Sequence, residues 1–403
     1  MRIFKFGGAS VKDADGVRNL VRVLKHEGTS NTLVVVSAMG KMTNAFETIV
    51  HTYLYDEQQL KSALNFVEDY HRAIVNELFG KIQGFLIQNT SKDYNYIYDQ
   101  IVSFGELLST KIISHYLIKS GIDNRWLDIR NIIKTDASYR NANVNWEVTY
   151  EDAKSIENQN LYVTQGFIAA DKEKNTTTLG REGSDFTAGI LAYCLHAESV
   201  TIWKDVDGVL NADPRVFSET TLLNQISYQE AIEMAFYGAS VIHPKTIKPL
   251  ENKKIPLYVR SFDNLDLVGT KVSKGVALEP KTSCFIVKKN QILVSISAKD
   301  FSFMVEKNIS AIFKQLHVDK LKVNLIQNSA ISFSVCLEDN FTSFNKFYDE
   351  LHPNYKVKYN RDVTLYTIRH FDEKSLEEIK KKGKVLLQQS SREIVQLVVD
   401  EKN

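Results

Sequence analysis

The chain has 403 residues, 43% of them hydrophobic and 25% charged, with a formal net charge of +1. That length exceeds one ordinary core and predicts two or three domains of a globular protein. The near-neutral charge gives no field for steering nucleic acid or anionic lipid, and no run approaches the roughly 18 apolar residues of a membrane span.

Residues 2–6 are short, apolar and alternating, the pattern of a strand. Gly7, Gly8 and Ser10 follow, then Val17, Leu20, Val21 and Leu24 at the spacing of an amphipathic helix that Gly28 closes. A strand, a glycine turn and a helix N-terminus aim backbone N–H groups at one point, which suits a phosphate, and Lys5 adds a full positive charge. Residues 32–36 form a second apolar run, as in a strand buried on both faces, with the polar loop Ser37 to Asn44 after it. Ligands of open parallel sheets bind at such strand ends. Residues 45–120 are mostly helical in pattern. Phe104, Leu108, Ile112 and Tyr116 form an apolar stripe that Gly121 ends, which places Glu106 in the first turn, where a carboxylate complements the helix dipole.

Residues 161–168 predict a strand leading into a turn. The loop 176–185 then carries Thr178, Gly180, Arg181, Glu182, Gly183, Ser184 and Asp185 ahead of a helical run, 186–196. Arg181 offers a planar fork for a carboxylate or phosphate. Ser184 and Asp185 are candidate caps, but capping does not explain the clustered threonines, glycines and arginine. A strand at 199–203 leads into an Asp-Gly and Asp-Pro turn region. Ser227 and Glu230 have the spacing of a capping box for a helix ending near Gly238, and 255–262 is one more strand. This alternation predicts an αβα sandwich around a mainly parallel central sheet, spanning 1–280. Past 290 the texture changes. A strand (291–297), a helix (303–316) and a hairpin (323–326 with 331–337) are followed by a similar strand, helix and strand pair at 363–369, 373–382, 385–389 and 394–399. Two βαββ units predict a separate α+β region over 281–403, its second module shortened. Cys194, Cys284 and Cys336 lie far apart without Cys-x-x-Cys spacing, which argues against a disulfide framework or zinc site and fits a reducing cytoplasm. No long apolar run follows the opening Met-Arg-Ile-Phe-Lys, so no signal peptide is expected.

Four motifs, in order and in register, resemble those of the aspartokinases, in the amino acid kinase family. Lys5-Phe6-Gly7-Gly8-Ala9-Ser10 matches the family's Lys-Phe-Gly-Gly-Thr-Ser. Residues 176–185 match Thr-Thr-Thr-Leu-Gly-Arg-Gly-Gly-Ser-Asp, with Glu182 replacing a glycine. Residues 204–215 match Thr-Asp-Val-Asp-Gly-Val-Tyr-Thr-Ala-Asp-Pro-Arg, with Lys204 and Leu210 as departures. Residues 237–244 match the Phe-Gly-Ala-Lys-Val-Leu-His-Pro segment, with Ser240 in place of the lysine.

The resemblance implies the amino acid kinase fold followed by paired ACT-like modules, and phosphorylation of L-aspartate by MgATP to 4-phospho-L-aspartate. It makes Lys5 and Asp185 catalytic. Gly7, Gly8, Ser10, Gly183 and Ser184 would serve the phosphates. Arg181 would take the α-carboxylate of aspartate and Glu106 its α-ammonium, a role that replaces the dipole reading, with Ser37, Thr43 and Thr178 beside them. Asp205 and Arg215 would meet the nucleotide. Mg²⁺ would ride on ATP phosphates and water, with no protein metal site. Asn324 and Ile326 would border an amino-acid effector, lysine or threonine, and the modules would join two chains as a homodimer. No membrane or nucleic-acid partner is expected. The alternatives are a non-catalytic amino-acid sensor and a kinase of the same fold acting on another small carboxylate.

Overall fold

The computed structural model describes residues 1–71, 76–158, 160–239, 242–300 and 302–402, without the side chains of 57, 68–71 and 76–81. Ser240 falls outside the described residues. Two compact units are present: residues 1–209, 222–232 and 241–280 form the first, and 210–221, 233–240 and 281–403 the second.

In the first unit the order is β1 (Arg2–Phe6), α1 (Ala14–Glu27), β2 (Thr32–Val36), α2 (Met42–Tyr55), α3 (Glu57–His71), α4 (Asn76–Gln88), α5 (Tyr94–Lys119), β3 (Arg125–Leu127), α6 (Trp146–Ala153) and β4 (Leu161–Gln165). Then come β5 (Ile168–Ala170), β6 (Thr176–Thr178), α7 (Gly183–Cys194), β7 (Ser199–Lys204), β8 (Gln225–Ser227), α8 (Tyr228–Tyr237, assigned to the second unit from residue 233 on), α9 (Pro244–Lys253), β9 (Leu257–Ser261) and β10 (Thr270–Ser273). Eight strands make one sheet in the order β3-β4-β2-β1-β7-β9-β10-β8. Its pairings are parallel except β9 with β10. The sheet is thus the mainly parallel one expected. β2 and β4 are buried at every position, as the unbroken apolar runs required.

Strand alternation assigns the faces. Phe4 and Phe6 pack with Val17, Leu20, Val21 and Leu24 of α1 and with Trp203. The Trp203 ring is fully buried, stacked on Phe6 at 6.2 Å and edge-on to Phe4 at 5.8 Å between centroids. Lys5 takes the opposite face of β1, the face of Ile3. Because β1, β2, β4 and β7 run parallel, the loops that leave them share one edge of the sheet.

Three local expectations change. The glycine turn enters a short 3-10 turn (Gly8–Val11), and α1 starts later, capped by the Asp13 side chain on the Gly16 N–H. α5 begins at Tyr94, so Glu106 lies in the middle of a 26-residue helix, beyond the reach of its N-terminal dipole. The run 161–168 splits into β4 and β5 around Gly166 and Phe167. Ser227 does accept the Glu230 N–H at 3.0 Å, as its spacing predicted.

The second unit holds β11 (Cys284–Ala298), α10 (Glu306–Val318), β12 (Lys322–Asn328), β13 (Ser332–Glu338), α11 (Phe344–Leu351), β14 (Tyr355–Arg369), α12 (Glu373–Lys380), β15 (Lys384–Ser390) and β16 (Ile394–Asp400). They form an antiparallel sheet in the order β12-β13-β11-β14-β16-β15. β11 pairs with β14 from Cys284↔Arg369 to Ala298↔Tyr355 and joins two βαββ halves. Each hairpin has a register shift at the same relative place, Val323/Leu325 and Val385/Leu387, as expected of a repeated ACT-like module. Ala212 and Phe217 pack with Tyr366, Ile368 and Val395, which draws 210–221 into this unit rather than the 1–280 segment.

Trp203→Ala removes the largest fully buried side chain of the first unit. It should lower unfolding free energy by about 3–5 kcal/mol in urea titration; a loss under about 1 kcal/mol would show that the Phe4–Phe6–Trp203 cluster does not anchor the sheet.

Candidate active site

A cavity of about 480 Å³ opens at the shared edge of the first unit's sheet. Of the residues singled out by motif, Lys5, Gly8, Ser37, Thr43, Glu106, Arg181, Gly183, Ser184 and Asp185 line it. Gly8 must be glycine for steric reasons. A Cβ there would stand 2.7 Å from the Gly40 carbonyl oxygen and 2.8 Å from that of Ala38. The loops after β1 and β2 are clamped by this approach and by the Gly40 N–H donating to Gly8 at 3.0 Å. Gly7 lies beside Lys5, its ideal Cβ position 3.4 Å from Nζ.

Lys5, at the penultimate position of β1, forms an ion pair with Asp185 in the first turn of α7. Both side chains are buried. Burial alone would raise the Asp185 carboxyl; the Lys5 ammonium, and then Lys204, outweigh it and hold the group below the usual carboxylate range. Glu182 precedes the helix at φ 56°, in the left-handed region. Its carboxyl hydrogen-bonds Asp185, and desolvation together with the Asp185 charge raises it. The two carboxyls are thus driven apart, Asp185 toward the ionised form and Glu182 toward the protonated one.

Glu106 reaches the cavity from the middle of α5 and is 2% exposed. Oε1 accepts the Ala38 N–H at 3.3 Å; Oε2 is buried with no hydrogen-bond partner among the described residues. Burial moves this carboxyl from its ordinary 4.5 up to about 8. A buried, half-satisfied carboxyl aimed into a cavity is costly in the free protein and fits a cationic ligand group. Arg181, in the loop between β6 and α7, is exposed, and no hydrogen bond or ion pair among the described residues engages its guanidinium. The cavity thus offers an ammonium acceptor, a free carboxylate fork and a buried lysine.

Other motif residues are placed differently. The Ser10 hydroxyl donates to the Trp203 carbonyl at 3.1 Å, so it ties β1 to β7 and is not free for a phosphate. Thr178 is fully buried and both its N–H and its hydroxyl donate to Asp99 at 2.8 Å; it positions the Arg181 loop and does not line the cavity. Asp205 lines a separate cleft of about 630 Å³, beside Ala9, Ser10 and Lys12. Arg215 belongs to the second unit and is held by Asp213 at 3.0 and 2.7 Å. Asn324 accepts from Lys288 at 2.8 Å and donates to Gln291 at 2.7 Å, while Ile326 is 42% exposed on the edge strand β12. Tyr98, Arg140 and Phe167 also line the cavity and carry no motif signal. Arg140 comes from a turn-rich stretch, and its approach depends on long-range folding.

The family model for the amino acid kinase family matches residues 1–261. The chain belongs to that family. Within it, the similarity is to the aspartokinases. The chain is 32% identical over 362 residues to the chloroplastic bifunctional aspartokinase/homoserine dehydrogenase 1 of Arabidopsis thaliana, covering 83% of this chain and 40% of that protein. It is 30% identical to lysine-sensitive aspartokinase 3 of Escherichia coli K12, covering 83% and 78%. The chain spans about two fifths of the length of the bifunctional plant relatives it matches. Among solved structures, E. coli aspartokinase III with lysine and aspartate (T-state) superposes with a TM-score of 0.84 at 25% identity, and the same protein with aspartate and ADP (R-state) with 0.77 at 26%. Each covers 100% of this chain and 96% of the other.

Between about pH 4.5 and 8 the folded chain holds the Glu106 proton more tightly than the unfolded chain, so this group's contribution to stability falls as pH rises. Glu106→Gln removes that dependence. The melting temperature of the variant relative to wild type should therefore rise from pH 5 to pH 9, measured without ligand. Parallel profiles across that range would show that the carboxyl is not shifted by burial.

Proposed function

We propose that this chain transfers the γ-phosphoryl group of MgATP to the side-chain carboxylate of L-aspartate, giving 4-phospho-L-aspartate and ADP, the first step toward lysine, threonine and methionine. The observation that carries the reading is the convergence of Glu106 Oε2, the unengaged Arg181 guanidinium and the Lys5–Asp185 pair on one cavity. Glu106 accepts the α-ammonium and Arg181 the α-carboxylate. The side-chain carboxylate then lies toward Lys5 and Gly8. Ser37 and Thr43 line the intervening wall.

The substrate carboxylate is ionised at neutral pH, so no general base is required. One carboxylate oxygen bonds to the γ-phosphorus, the bond from γ-phosphorus to the β,γ-bridging oxygen breaks, and ADP leaves with that electron pair. Catalysis is positioning and charge neutralisation. Lys5 neutralises charge on the transferring oxygens, and the backbone around Gly7, Gly8 and Ser184 supplies N–H donors, the Gly183 N–H being taken by the Gly180 carbonyl at 3.0 Å. Asp185 fixes the Lys5 ammonium. Mg²⁺ would enter with ATP, carried on its phosphates and water. The cleft beside Asp205 adjoins the same glycine loop and suits the nucleoside end of ATP.

The second unit is read as the paired regulatory region. An amino-acid effector, lysine or threonine, would sit near Asn324 and Ile326, and a homodimer would form through these modules. The lysine-sensitive relative and the lysine-bound structure support the lysine arm. The three cysteines are all free and buried, in keeping with a cytoplasmic setting. No helix among the described residues is long and apolar enough to cross a membrane.

The test is ADP release from MgATP with L-aspartate, with hydroxylamine trapping the acyl phosphate. Aspartyl hydroxamate should accumulate with ADP. Lys5→Ala should lower kcat on the order of 10²–10³-fold with little change in aspartate binding. ADP release without hydroxamate would reject the aspartate acceptor, and wild-type turnover in Lys5→Ala would remove its role.

A further inference from the structure

The same cavity contains a second arginine that no motif marks. Arg140 lies in the loop after β3 at φ 68°, a left-handed conformation that costs about 1–2 kcal/mol for a residue with a side chain. The conformation is held by Asp99, which is fully buried in α5. Both Asp99 oxygens accept the Arg140 N–H, at 3.1 and 3.0 Å. The same carboxylate accepts the N–H and hydroxyl of Thr178, two residues before the glycine turn that leads to Arg181. One buried carboxylate therefore fixes the backbone under both arginines.

The Arg140 side chain is also built in. Its guanidinium stacks over Tyr98 at 4.2 Å and lies 5.6 Å from the Tyr94 ring, both on α5. One Nη2 donor goes to Glu47 of α2 at 3.1 Å. A guanidinium has five N–H donors in a fixed fork. No other hydrogen bond among the described residues engages those of Arg140, and the residue lines the cavity with Arg181 and Glu106.

We propose that Arg140 is a specificity-determining residue that joins Arg181 in a two-arginine clamp on the carboxylate attached to the ammonium-bearing carbon of the substrate, with Asp99 as the positioning residue for both arms. This rests on the aspartate reading of the cavity. A carboxylate has two oxygens and about four lone-pair sites, enough for two forks. The α-carbon of an amino acid held through its ammonium by Glu106 brings that carboxylate to the side of the cavity away from Lys5. The clamp selects dicarboxylate amino acids over ligands with a single carboxylate, because the reacting carboxylate is the other one. Asp99 is raised to about 6 by burial, against the pull of its four hydrogen bonds, so the anchor is fully ionised only above neutrality. The groups facing it are the Arg140 and Thr178 donors and the Arg140 charge, with the Tyr98 and Tyr139 hydroxyls raised in part by its negative charge.

The experiment compares wild type, Arg140→Ala and Arg140→Lys by steady-state kinetics and by calorimetric binding of succinate and β-alanine. Succinate keeps both carboxylates without the ammonium; β-alanine keeps the ammonium and the reacting carboxylate alone. Arg140→Ala should raise KM for aspartate about tenfold or more, with kcat within about twofold and KM for ATP unchanged. Succinate binding should weaken about as much, while β-alanine binding stays at the wild-type value. Arg140→Lys, which keeps the charge without the fork, should fall between. An unchanged aspartate KM, or equal weakening of succinate and β-alanine, overturns the clamp. If wild type shows no aspartate-dependent turnover, the aspartate reading fails separately, and the succinate and β-alanine binding still decides the role of Arg140.

Discussion

The buried ion pair between Lys5 and Asp185 is the interaction on which the site depends. Removing two charges from water is expensive, and a buried pair is weak evidence for stability as such. Its value here is placement. Lys5 is fixed by strand alternation on the α7 side of β1, and Asp185 is fixed in the first turn of α7, where the helix dipole favours a carboxylate. The pair therefore joins the central strand to the helix that bounds the cavity. Lys204 at the end of β7 adds positive charge that holds the Asp185 carboxyl low, while the Asp185 charge helps to raise Glu182.

Around that pair the charges are distributed with sign and distance. Lys5 sits at the strand ends, Glu106 on α5, and Arg181 and Arg140 on loops fixed by Asp99. A cavity that leaves a buried carboxyl oxygen without a donor is poorly satisfied when empty and improves on binding an ammonium. Selectivity then follows from unpaired polar groups: a ligand lacking the ammonium leaves Glu106 unsatisfied, and one lacking the second carboxylate leaves the arginines idle. The hydrogen-bond count matters less than which group would be left unpaired.

Much of this was legible in the sequence for identifiable reasons. Period-two and period-3.6 patterns revealed β1, α1 and β2, and the four motifs located Lys5, Arg181 and Asp185. Glu106 was placed in a first turn because the stripe was read only from Phe104 onward; buried Ile97 and Ile101 carry the same stripe back toward Tyr94, where the helix begins. Ser10 and Thr178 matched motifs, yet their hydroxyls satisfy the Trp203 carbonyl and Asp99, pairings that only the folded sheet creates. Helix α11 has Phe344, Phe347 and Leu351 at helical spacing but spans only eight residues with no side-chain N-cap bond, whereas α12, equally short, carries the Asp372–Ser375 capping box. Arg140 was illegible because it acts through a fold-dependent turn and a helix more than thirty residues away.

The most direct test of the central claim, that Glu106 is poised to receive an ammonium, is proton release on binding. Titration calorimetry of L-aspartate at pH 7, in buffers with different ionisation enthalpies, reads it without turnover. In the free chain the Glu106 carboxyl, raised to about 8, is mostly protonated at this pH. Docking an ammonium forces it to ionise, so binding should release close to one proton per aspartate, about none above pH 9, and about none in Glu106→Gln. Binding at pH 7 with an enthalpy independent of buffer would contradict the account.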